Sequence, residues 1–138
     1  MSDLLAPYLQ HLEARIRARQ HQDLARLPPE LAAFCSSQPA QCLQLVIRAL
    51  EAVTTPQLVQ AIGEELLDNL LNESSAAIHA EVSDQLRTNR KFRQAFACAT
   101  YASVDPAIVS EWVEIFQELG TTKKAERKSL WAAPSKTG

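Results

Sequence analysis

The sequence predicts an all-α protein, an irregular bundle of roughly six or seven helices. Three observations predict it. Among 138 residues there are only three glycines, Gly63, Gly120 and Gly138, too few for the turns of a sheet protein of this length. Ala, Leu, Gln and Glu dominate, residues that lose little or no side-chain freedom in a helix. Apolar residues recur at three- and four-residue spacing, between prolines placed where helices begin.

The elements follow in order. Pro7 suits a first helical turn, and Leu5, Tyr8, Leu9, Leu12 and Ile16 make one apolar stripe that Leu24 and Leu27 extend. Pro28-Pro29 stops this helix and starts a short one through Leu31 and Phe34. Pro39 opens a third, with Cys42, Leu43, Val46, Ile47 and Leu50 facing inward. Thr55-Pro56 reads as an N-cap followed by proline at the first helical position, ahead of Leu58, Val59 and Ile62. Gly63 is expected to bend or end that helix before Leu66, Leu67, Leu70 and Leu71 resume the pattern.

Residues 72–75 are polar and predict a turn, with Ser74 or Ser75 capping a helix that carries Ile78, Val82 and Leu86. Asn89 caps a segment in which Phe92, Ala95, Phe96 and Ala99 share a face. Asp105-Pro106 is the clearest start signal. From it Ile108, Val109, Trp112, Ile115, Phe116 and Leu119 form a last amphipathic helix that Gly120 ends. The organisation expected is one helical domain over 1–120 and a basic tail over 121–138, with Trp131 the aromatic residue exposed in it.

Composition excludes several classes. The apolar share of 46% and charged share of 22% are those of a globular domain, not a disordered chain. No run approaches the ~20 apolar residues of a membrane span. The start, Met1-Ser2-Asp3, lacks the basic and apolar regions of a signal peptide. Cys35, Cys42 and Cys98 are odd in number and have no C-x-x-C spacing, which suits small apolar residues in a reducing cytoplasm. A cytoplasmic protein without membrane contact is the expectation.

Charge is spread unevenly around a net of −2. Between Arg48 and Arg87 stand Glu51, Glu64, Glu65, Asp68, Glu73, Glu81 and Asp84 with no Lys or Arg, a formal −7. Arg87, Arg90, Lys91 and Arg93 follow at once with +4, and Asp105, Glu111, Glu114 and Glu118 then give −4. The tail returns +4, with Lys123, Lys124, Arg127, Lys128 and Lys136 against Glu126. Solvated helix faces, with the Arg87–Arg93 cluster folded back on the acids, would explain this pattern. An acidic surface that steers and holds a basic partner would explain it equally well. Nucleic acid is excluded as a partner because phosphates need a basic stripe.

Catalytic signatures are sparse. Glu65-x-x-Asp68 and Glu81-x-x-Asp84 would aim four carboxylates at one Mg²⁺ if two antiparallel helices carried them. That spacing resembles the E-x-x-E…E-x-x-D pattern of the all-helical nucleotide pyrophosphohydrolases, with Asp68 in place of the second Glu. The resemblance implies metal-activated water and a nucleoside triphosphate substrate, but basic and aromatic residues to hold a nucleotide are not recognisable. His79-x-Glu81 lacks the P-C-x-x-C that a zinc deaminase needs. His11 and His21 read as surface residues. Ser83, Ser103 and Ser110 have no nucleophile-elbow turn, and no Gly-rich phosphate loop exists. Trp112 and Phe116 read as core. No catalytic residue and no cofactor is assigned.

The run Ile62-Gly63-Glu64-Glu65-Leu66-Leu67-Asp68-Asn69-Leu70-Leu71, with Arg90-Lys91-Phe92-Arg93-Gln94-Ala95-Phe96 after it, resembles a family of small bacterial all-helical proteins classed as a domain of unknown function. The likeness covers roughly residues 30 to 100. Glu65 and Leu66 stand where that family has Gly-Pro, and Asp68 where it has Glu. The resemblance implies an all-helical bacterial protein and supplies no catalytic residue; Asp68 and Asn69 match its acidic segment.

The leading expectation is therefore partner binding, in its most specific form an immunity-type protein that neutralises a toxin. Glu64, Glu65, Asp68, Asn69 and Glu73 would face the toxin's basic substrate cleft. The alternatives are the metal-dependent hydrolase on Glu65, Asp68, Glu81 and Asp84, and a structural subunit or homodimer.

Overall fold

A computed structural model describes residues 4–17 and 28–132, and the side chains of 15–17 lie outside what is described. Ile16 as a side chain, His21, Leu24, Leu27 and residues 133–138, expected above to extend a helix, lie on the surface or complete a tail, fall outside the described residues. Among those residues the architecture is all-α, with no strand. The helices are α1 (Leu5–Arg17), α2 (Pro29–Ser37), α3 (Pro39–Ala52), α4 (Pro56–Ile62), α5 (Asp68–Thr88), α6 (Arg90–Ala97), α7 (Pro106–Glu118) and α8 (Lys123–Trp131).

Local signals set the starts. Helices α2, α3, α4 and α7 each begin on proline, whose missing N–H is one the first turn leaves unbonded in any case. Side chains of Thr55, Asn89, Asp105 and Thr122 accept hydrogen bonds from the first-turn N–H groups of α4, α6, α7 and α8. Gly120 takes a positive φ of 75° just after α7, as a helix-ending glycine does.

Several sequence expectations change. At Gly63 the helical backbone continues: residues Gly63–Leu67 form a π-helical turn that joins α4 to α5. The glycine is required by proximity, since a Cβ there would overlap the carbonyl oxygen of Ala95 on α6. The polar run 72–75 is not an open turn, but the helix does break there: a kink with non-helical backbone at Ser74 (φ −142°, ψ 25°) and Ile78 (φ −123°, ψ 16°) divides α5 into two helical segments. Its polar side chains bond to backbone: Asn72 Nδ2 donates to the Asp68 carbonyl one turn back and to the Thr100 carbonyl, its Oδ1 accepts from Ser103 N, and Ser74 Oγ donates to the Cys35 carbonyl.

The segment expected to be a basic tail contains α8, packed along α6, with Glu126 and Leu130 buried. Trp131 is half exposed, as expected, but its Nε1 donates to Gln60 Oε1 on α4 at 3.1 Å.

The cysteine reading also changes. Only Gln38 separates α2 from α3, so the last turn of one lies on the first turn of the other, and Cys35 and Cys42 form a disulfide there. Cys98 keeps a free thiol.

The core is continuous. Tyr8 and Leu12 of α1 meet Val46, Leu50, Ile62, Leu66, Leu70 and the inward face of α6 in one cluster. At the α7 end Phe96 gathers the aromatic residues: Trp112 meets it edge-on at 5.4 Å, Tyr101 and Phe116 at 5.6 and 5.7 Å. Leu119, read as part of the α7 stripe, is 42% exposed because the helix has turned it past the core.

Candidate functional site

Exposure separates the five residues expected to bind a partner. Glu64 and Glu73 are exposed, whereas Glu65 is buried against α1, its Oε1 3.9 Å from His11 Nε2. Asp68 is half buried and occupied: its Oδ1 accepts from the Thr100 amide at 2.6 Å and from the Thr100 hydroxyl at 2.7 Å. These bonds tie α5 to the loop between α6 and α7. Asn69 is half buried. The five do not present one open face, because Glu65 is buried and Asp68 and Asn69 are half buried.

The same geometry bears on the carboxylate quartet. Glu65 lies in the π-helical turn and Asp68 at the start of α5, while Glu81 and Asp84 follow the kink of α5. Among the described residues no group of three or more His, Cys, Asp or Glu side chains is placed to hold a metal ion. Ser83 Oγ donates to the His79 carbonyl and is turned onto its own helix.

A different set of acids converges. Helices α5 and α7 border a cleft of about 450 Å³ lined by Asp84, Glu111, Glu114 and Glu118, all exposed. Arg87 is the only Lys or Arg among the lining residues, and its Nε lies 3.8 Å from Glu118 Oε1. His79, at the base of the cleft, places Nε2 2.7 Å from Glu111 Oε1 and meets the Trp112 ring edge-on at 6.0 Å. The sequence listed these acids by charge without showing that α7 would bring three of them opposite Asp84.

The bases opposite them in sequence are engaged elsewhere. Lys91 Nζ donates to the Leu50 and Val53 carbonyls at 2.9 and 2.6 Å, closing the C-terminal end of α3. Arg93 donates to the Leu86 carbonyl in the last turn of α5 and forms an ion pair with buried Glu126 at 3.5 Å. Lys123 and Arg127 donate to the Ala99 and Ala97 carbonyls at and beyond the end of α6. Cations placed at helix C-termini satisfy orphan carbonyls and oppose the negative end of the dipole. The Arg87–Arg93 cluster does fold back, but mainly onto main-chain carbonyls rather than onto the acids of α5.

Two shifts follow from this packing. Burial pushes the Cys98 thiol above its ordinary range and Glu64 adds to the effect, while Arg127 and Lys123 oppose it. Burial lowers the Lys123 ammonium, and Arg127 lowers it further.

Among the described residues no helix is long and apolar enough to cross a membrane. No family model, curated protein or solved structure matches this chain.

Proposed function

We propose that the protein is a partner-binding protein of the immunity type, which holds the basic substrate cleft of a cognate toxin against the acidic face of α5 and α7. The observation that supports this reading is the cleft itself: Asp84, Glu111, Glu114 and Glu118 stand exposed around a single Arg87. Lys91, Arg93, Lys123 and Arg127 are turned onto backbone carbonyls and do not offset them there. Uncompensated like charges on one open face cost a folded protein a little, and they gain it fast, selective association with an oppositely charged partner. Of the residues singled out in the sequence, Glu64 and Glu73 stay exposed outside this cleft, while Glu65 and Asp68 hold the fold together.

The bacterial setting of the proposal rests on the family resemblance of residues 62–71 and 90–96. A cytoplasmic setting loses one of its supports, because Cys35 and Cys42 are paired rather than free.

The test is affinity capture from the native host with tagged wild-type protein and, in parallel, the Glu114→Lys/Glu118→Lys double variant. Both residues are exposed, so the fold tolerates the change. The wild-type protein should retain one near-stoichiometric partner with a basic catalytic domain and inhibit its activity at equimolar ratio, and the variant should lose that inhibition. Equal inhibition by both proteins, or a captured partner whose activity is untouched, would remove the reading.

A further inference from the structure

On the side of α7 away from the acidic cleft lies a second concavity, of about 230 Å³, closed by the loop before α7 and the turn after it. Its walls are aromatic: Phe96, Tyr101, Trp112 and Phe116 line it, and Val113, 42% exposed, stands at its mouth. An apolar cavity of ~150 Å³ is enough to take a benzene ring. This one has room for one or two fused rings, which would meet the walls by offset or edge-on stacking.

One polar feature specifies the rest of the ligand. Lys123, the cation lining the same pocket, holds its Nζ 4.2 Å from the centre of the Tyr101 ring. It gives one hydrogen bond to the Ala99 carbonyl, leaving further N–H donors. A partly desolvated ammonium gains when an anion approaches.

We infer that this pocket is a binding site for a small aromatic carboxylate of one or two rings, stacked among Phe96, Tyr101, Trp112 and Phe116 with its carboxylate at Lys123. The site is independent of the acidic cleft and of any protein partner. The ligand is smaller than the occupants of most cofactor pockets, which run to several hundred Å³.

The probes are 1-naphthoate and its neutral counterpart 1-naphthamide, followed by saturation-transfer NMR on the whole chain. Wild-type protein should saturate 1-naphthoate and bind it about tenfold more tightly than the amide, the worth of one charge-assisted hydrogen bond. Val113→Trp fills the mouth from an exposed position and should abolish the signal, and Lys123→Gln should erase the preference for the carboxylate. If either variant loses its helical circular dichroism, the deciding measurement is made on wild-type protein: cross-relaxation between 1-naphthoate and the Tyr101 ring protons. Absence of binding at millimolar probe, undiminished binding by folded Val113→Trp, or cross-relaxation confined to Trp131 would each overturn the assignment. Equal binding of acid and amide would overturn the role given to Lys123.

Discussion

At the scale of single residues, three side chains carry more of the account than their chemistry suggests. Gly63 is fixed by a close approach, so Gly63→Ala should destabilise the protein by about 2 kcal/mol or more in urea unfolding, although alanine is otherwise favoured in a helix. Unchanged stability would mean that α4 and α6 are not in backbone contact. Asp68 has traded its place on the surface for the Thr100 amide and hydroxyl. Cys98 is held protonated first by burial and then by Glu64. Because the thiolate is the reacting form, alkylation at neutral pH should be slower than for a free thiol and should still be accelerating at pH 9.0. Glu64→Gln removes a negative neighbour, lowers the pKa and should speed the reaction at fixed pH. A rate profile that levels off below that pH would contradict this environment.

At the scale of elements, α8 is the clearest case of structure hidden from the sequence. Its buried face consists of Glu126 and Leu130, one carboxylate and one leucine four residues apart, so no apolar period announces it. What anchors it is the ion pair between Glu126 and Arg93 on α6, with both side chains largely buried. Removing one partner of such a pair strands a charge. Glu126→Ala should therefore cost about 3 kcal/mol, whereas replacing both residues by methionine should recover most of that loss. Denaturant melts of the two single variants and the double variant would measure the coupling, and additive losses would refute it. Where a helix has a capping side chain, as at Thr55-Pro56, Asn89 or Asp105-Pro106, the sequence was sufficient, because those bonds are local. At 72–75 it located the break in the helix but not the bonds that hold it, since Asn72 and Ser74 bond to residues 28 to 39 positions away, which no local pattern encodes.

At the scale of the whole molecule, the charge pattern along the chain is sorted by the fold. The sequence contains a −7 run followed by a basic cluster and invites the view that they cancel. In the folded chain, Lys91, Arg93, Lys123 and Arg127 reach carbonyls at the ends of α3, α5 and α6, while Asp84 and the acids of α7 face outward together. The all-α class and most helix starts were legible from glycine scarcity, prolines and caps. The converging acids were not, since bringing α7 beside α5 depends on the aromatic packing of Phe96, Trp112 and Phe116. The carboxylate pairs of the metal reading were visible in sequence, but the burial of Glu65 and the hydrogen bonds of Asp68 to Thr100 were not.

The most direct test of the central claim is the association rate of the captured partner with wild-type protein and with Glu114→Lys/Glu118→Lys, measured at low and high salt by stopped flow. Docking through the acidic face requires a wild-type rate that falls steeply with salt and a variant slower by at least about tenfold at low salt, the two converging as salt screens the charges. Equal rates at low salt would contradict it and place the partner on another face of the molecule.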